Sequence, residues 1–248
     1  GTADTVDTTL SVAYAATSTV ATGTQTDVQN LKVTNQGSIN TAAANVASNA
    51  KVMKVDIDKV ETLAITTAGT ANSLDLSTSA DVKTVTVTGE GQTEISAVGT
   101  ATTSFDASAA TGKVIADLSK AASDSITTVK GGSSDDSLTV VAADLTASAT
   151  VAGGAGSDKL IIGAGAGKTV QLAMTGVETL EVGAITSDLK FSGTNVSDLT
   201  TLKVQGIAVG GTVSLVNSKA TDLTVNSVGG NAAGQNISTD NAAKVTYN

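Results

Sequence analysis

G131-G-S-S-D-D-S-L-T139 and G153-G-A-G-S-D-K-L-I161 decide the fold. Each opens on paired glycines, reaches an aspartate, Asp136 or Asp158, and runs into an apolar/polar alternation; the two aspartates lie 158 − 136 = 22 residues apart. The same spacing is the period of a repeat that runs through most of the chain. Similarity recurring every 20 to 30 residues or so marks a solenoid, in which equivalent positions stack at the strand spacing of about 4.8 Å. Two aspartates in one such column repel unless a cation lies between them. The expected fold is therefore all-β, a parallel β-solenoid of the β-roll or β-helix kind, stapled by calcium.

Outward from these turns, a hexapeptide of the form apolar-x-x-apolar-x-apolar recurs as V28-Q-N-L-K-V, V60-E-T-L-A-I, V82-K-T-V-T-V, V177-E-T-L-E-V, L199-T-T-L-K-V and A220-T-D-L-T-V. Its last two apolar positions alternate as a half-buried strand requires, so Val85 and Val87 are expected inside and Thr84 and Thr86 outside. The preceding spacing of three predicts a bend before the strand. The last apolar positions Val140, Ile162, Val182, Val204, Val225 and Tyr247 follow at steps of 22, 20, 22, 21 and 22, giving about 20–22 residues per coil. Weaker apolar triplets such as S73-L-D-L-S and T212-V-S-L-V fall half a period along, which predicts two strands per coil.

The steps from Val33 to Ile65 (32) and from Ala107 to Val140 (33) are about one and a half periods. The expected organisation is one elongated solenoid domain over 1–248, with an alanine-rich loop or short helix inserted at 39–50 and glycine-rich turns across 131–168. V52-M-K-V-D-I matches the hexapeptide out of phase.

Composition limits the partners. The chain has 248 residues, 40% apolar and only 2% aromatic, with no Trp, Pro, Cys or His, so its core must be built of Val, Leu, Ile and Ala. A net charge of -9 argues against nucleic acid or anionic lipid and for divalent cations as counter-charge. No apolar run is long enough to span a bilayer as a helix.

The stretch G153-G-A-G-S-D-K-L-I fits the pattern G-G-x-G-x-D-x-U-x at every specified position. Gly153, Gly154 and Gly156 let the backbone curl so that carbonyl oxygens converge. Asp158 supplies the hard anionic oxygen that Ca²⁺ takes among roughly six to eight ligands. The turn containing Gly131, Gly132, Asp135 and Asp136 is a degenerate copy, with Ser134 at the third glycine. Counting four residues back from each strand's last apolar position gives Asp136, Asp158 and Glu178 in three successive copies. The competing reading is that these are solvated turn residues, common at turns for their local hydrogen bonds. The next turn, G163-A-G-A-G-K, puts Lys168 where an acid is expected, which argues against a third site.

Asp56 and Asp58, two apart, are expected on one strand face as a solvated pair or a weak cation site, and Glu90 and Glu94 are weaker still. G163-A-G-A-G-K-T lacks the first glycine of a phosphate loop, since that position is Ile162. With no histidine, cysteine or arginine, and with its aromatic rings far apart in sequence, the chain is expected not to be an enzyme.

The run from T103-S-F-D-A-S-A-A-T-G through the two glycine turns to V177-E-T-L-E-V resembles RTX-type surface-layer proteins of Gram-negative bacteria. The resemblance extends loosely, through composition and hexapeptides, over nearly the whole chain. It implies a secreted, calcium-dependent structural protein that self-assembles into a two-dimensional lattice on the cell exterior. It also implies attachment to lipopolysaccharide through a separate domain and export by a C-terminal signal. Neither of those is recognisable here, as expected of a lattice-forming segment of a longer polypeptide. By position, the resemblance carries Gly131, Gly132, Asp136, Gly153, Gly154, Gly156 and Asp158 over as calcium-site residues. The alternative reading is an RTX-like adhesin segment contacting a host or matrix ligand.

Overall fold

The computed structural model describes residues 9–12, 27–35, 52–165, 168–170, 172–191, 198–204, 212–215, 223–227, 236–239 and 245–247. They form a parallel β-solenoid. One wall is an eleven-stranded parallel sheet running from Thr9–Val12 to Val245–Tyr247. The opposite wall is a seven-stranded sheet from Val28–Thr34 to Ala173–Thr175, continued by a four-stranded sheet that starts at Thr169–Val170. The second wall splits within a single coil, because Thr169–Val170 pairs forward with Leu189–Phe191 while Ala173–Thr175 pairs back with Leu145–Ala152. Among the described residues, the single helical element is a 3-10 turn at Ala142–Asp144.

Each coil contributes one strand to each wall, as the half-period triplets predict. Alternation puts one apolar column inside each wall. Leu63, Val85, Phe105, Val129, Val151 and Met174 stack in register on one side. Leu74, Ile95, Ala116, Leu138, Leu160 and Leu180 stack on the other. All are at most 2% exposed, so the two columns are a continuous dry core. Val85 and Val87 are buried while Thr84 and Thr86 are half-buried on the outside. The first apolar residue of the hexapeptide, Val60, Val82, Val177 or Leu199, is buried just before its strand and marks the bend.

The step of 33 from Ala107 to Val140 has a structural cause, since Ala107 lies on the seven-stranded wall and Val140 on the eleven-stranded one, whereas the step of 32 from Val33 to Ile65 joins neighbouring strands of one wall. The copies at 28–33, 60–65 and 82–87 lie on the seven-stranded wall, whereas those at 177–182 and 199–204 lie on the eleven-stranded wall. V52-M-K-V-D-I is out of phase because it too lies on the eleven-stranded wall. The strongest strand of each coil thus changes sides near the middle of the chain. Two registers differ from the spacing of last apolar positions: Ile65 pairs with Leu31 rather than Val33, and Val225 with Leu202 rather than Val204. A shift of two keeps the same side of each strand inward, so the hydrophobic pattern tolerates either register. The alanine-rich stretch 39–50 lies outside the described residues.

Candidate functional site

Two corners join the walls in every coil. Where the seven-stranded wall turns into the eleven-stranded one, three residues suffice in the coil that links Ser104–Ala110 to Val114–Asp117, but six are used from Gly131 to Asp136 and again from Gly153 to Asp158. The N–H groups of Val114, Asp136 and Asp158 are met by side chains instead of carbonyls. Val114 N–H donates to Asp136 Oδ1 at 2.7 Å, Asp136 N–H to Asp158 Oδ1 at 2.7 Å, and Asp158 N–H to Glu178 Oε2 at 2.6 Å. The three acids named from the sequence therefore form one column, each reaching back one coil to cap a backbone amide. A buried amide left unpaired would be costly, so this ladder holds the corner together.

The glycines make room for it. A Cβ on Gly131 would lie 2.1 Å from Gly153 O, and one on Gly153 1.7 Å from Gly176 O and 2.6 Å from Asp158 Oδ2. Gly132 and Gly154 are stacked as closely, with Gly154 at φ +111°. Gly156, at φ +120°, is exposed and lies against the backbone of Ser134 and Asp135. Asp135 stands on the outside of the same corner, where Ser157 N–H donates to its Oδ1 at 2.8 Å. The turn of paired glycines and aspartate thus has a steric reason for each of its specified positions.

The electrostatics of the column are unbalanced. Asp136 and Asp158 are each 2% exposed. Asp136 has both oxygens engaged, Oδ2 accepting from Gly132 N–H at 2.5 Å, yet burial still pushes its carboxyl above the usual range. In Asp158, Oδ2 is buried without a hydrogen-bond partner. Burial first, and then the charges of Asp136, Glu178 and Asp135, raise its pKa to about 6 against the cap from Asp136 N–H. A buried carboxylate flanked by three others can respond in two ways, by holding a proton or by sharing a cation.

Several expectations are corrected. The turn at Gly163 is not the successor of the two glycine corners: it begins directly after Lys159–Ile162, at the other corner, and the strand after Asp158 in the column is preceded by Glu178. Lys168 therefore does not fill an acid's place in that column. The strand Met53–Ile57 ends before Asp58, which is exposed at the corner, so Asp56 and Asp58 do not share a strand face. Glu94 accepts from Ser73 Oγ at 2.9 Å on the outer wall, and Glu90 is exposed in a turn.

A second acidic group at the opposite corner is absent from the sequence reading. Asp144, 6% exposed and with Oδ2 lacking a partner, closes the 3-10 turn; burial raises its pKa to about 6 despite the nearby Lys168 ammonium. Only Lys168, through its odd position in a glycine turn, pointed there. On the outer face, Lys130 pairs with Asp106 at 2.8 Å; burial opposes ionisation of Asp106, but Lys130 and Ser108 hold its carboxyl below the usual range.

Comparison with protein-family models, with curated proteins and with solved structures gives no match to this chain.

Proposed function

We propose that this chain is a calcium-braced structural module of a bacterial surface layer, a rigid plank that packs against copies of itself on the cell exterior. The observation that carries the reading is the orphaned, buried Oδ2 of Asp158, set among Asp136, Asp135 and Glu178 at a corner built of stacked glycines. Among the described residues no three acidic side chains converge as a preformed cage, so the fit to a hard divalent cation rests on donor type, all oxygen, and on the one buried oxygen that no hydrogen bond satisfies. Asp158 would be the principal ligand, with Asp135 and Glu178 completing the charge. A bound ion would supply charge neutralisation between coils and no chemistry beyond it. The lattice, the exterior location and attachment through lipopolysaccharide rest on the sequence resemblance. A stiff body with two long, repetitive outer walls suits side-by-side packing.

Calcium is expected to raise the thermal midpoint of the chelated protein, since an ion bound only by the folded state contributes about 2.7 kcal/mol at a hundredfold excess over Kd. Asp158→Ala is expected to lose most of that increment. Light scattering and electron microscopy at millimolar calcium are expected to show ordered sheets. No thermal shift and no heat in a calorimetric titration would remove the metal. Strictly monomeric behaviour with saturable binding of a carbohydrate or protein would replace the lattice with the adhesin reading.

A further inference from the structure

We propose that Lys168 is a built-in cation: its ammonium, held by Asp124 and the Leu145 carbonyl beside the buried Asp144, takes the place a divalent ion would have and so staples this corner without metal. Lys168 Nζ donates to Asp124 Oδ1 and, at 2.7 Å, to the carbonyl of Leu145. The two contacts reach 44 and 23 residues back, so one side chain ties together three successive coils. Backbone bonds align the layers beneath it, Asp124 N–H donating to Ala143 O at 2.9 Å and Ser125 N–H to Asp144 O at 3.0 Å. Asp124 sits at φ +56°, a left-handed conformation that aspartate tolerates better than most residues, which turns its carboxylate toward the stack.

The pointer to a cation is Asp144. It is more than nine-tenths buried, and its Oδ2 has no hydrogen-bond partner. Lys168 is the cation acting on it, and its side chain is only 25% exposed while Asp124 is 71% exposed. The donors on the ammonium are one carboxylate and a backbone carbonyl, hard oxygens of the kind calcium also takes, with the Asp144 carboxyl near enough to feel the charge. An ammonium needs no particular coordination number and cannot be chelated away. The consequence is a division of labour: the corner at Asp158 depends on the ion in solution, and the corner at Lys168 does not.

The site is tested in an Asp158→Ala background, which silences the other corner, so that failure of the calcium reading there does not decide the outcome here. Lys168→Met is expected to lower the chelated thermal midpoint by roughly 2 to 4 °C. Lys168→Arg, which keeps the charge, is expected to lose less than half as much. About 5 mM calcium chloride, above the range of weak extracellular sites, is expected to restore most of the loss in Lys168→Met. Sodium chloride at matched ionic strength is not, and neither is calcium once Asp144→Asn is added. If Lys168→Met fails to fold without calcium but folds with it, the inference stands. A midpoint that does not fall, a loss that sodium repairs equally well, or a variant that calcium leaves unfolded would each overturn it.

Discussion

Gly154→Ala is expected to cost about 3–5 kcal/mol. Two penalties coincide at this position. The residue adopts φ +111°, a conformation that costs an L residue with a Cβ roughly 1–2 kcal/mol or more. The new Cβ would also lie 1.9 Å from the carbonyl oxygen of Gly132, a backbone atom held by its own bond from Ala155 N–H at 3.1 Å. Neither side can yield without separating the two coils, and that separation would pull Asp158 away from the Asp136 amide. Gly163→Ala is the control. Its added Cβ would meet Val141 Cγ2 at 3.5 Å and Val140 O at 3.6 Å, ordinary contacts, and the backbone there needs no positive φ. That variant is expected within about 1 kcal/mol of wild type, with a stabilising sign if unfolded-chain entropy dominates. Urea denaturation of the two variants side by side measures the difference, and equal midpoints would show that the glycine corner is not under steric constraint.

The contrast between these glycines also shows what the sequence could express. A solenoid repeats the same environment every coil, so spacing alone brought Asp136, Asp158 and Glu178 into one column, and their pairing matches the count back from the strand ends. Period-two alternation placed the core residues for the same reason. What spacing cannot express is which wall a strand belongs to, because an apolar triplet has the same pattern on either side. Hence the turn at Gly163 follows the two calcium-type turns in sequence and puts Lys168 at the acid's place, although it lies half a coil away at the other corner. The partnership of Asp124, Asp144 and Lys168 was hidden by the same ambiguity: Asp144 and Lys168 are 24 residues apart, one period, but neither belongs to a recognisable motif. Capping of backbone amides by the acid column was also invisible, since spacing shows which residues stack and not which atoms of neighbouring coils meet.

Chelated wild-type protein is expected to lose stability as pH rises from about 4 to about 6, the opposite of ordinary acid denaturation. The sign follows from Asp158 and Asp144. Unfolded, each carboxyl titrates near 3.8; folded, each is raised to about 6. Between those values the folded chain holds protons that the unfolded chain has released, so stability falls with pH; below the window both states are protonated, and above it the full penalty remains. A displacement of roughly two pKa steps corresponds to about 3 kcal/mol for each group, as an upper figure. Asp136, also raised, acts in the same direction. Asp158→Asn keeps the acceptor for the Asp136 amide but cannot ionise, so it is expected to remove about half of the fall measured by urea midpoints between pH 4 and pH 7 in chelator. Calcium is expected to flatten the wild-type curve and to leave that of Asp158→Asn unchanged. An identical slope in wild type and variant would show that Asp158 is not the titrating group. The comparison also bears on why an acid stands there at all. Capping an amide requires only an acceptor, a task that Asn35 performs for Thr70 N–H at 2.7 Å and Ser79 for Ile57 N–H at 3.1 Å, with no charge to bury. A carboxylate in that position costs stability at neutral pH unless a cation accompanies it. The size of the pH-dependent loss that calcium abolishes therefore measures how far this corner is built for an ion rather than for the backbone alone.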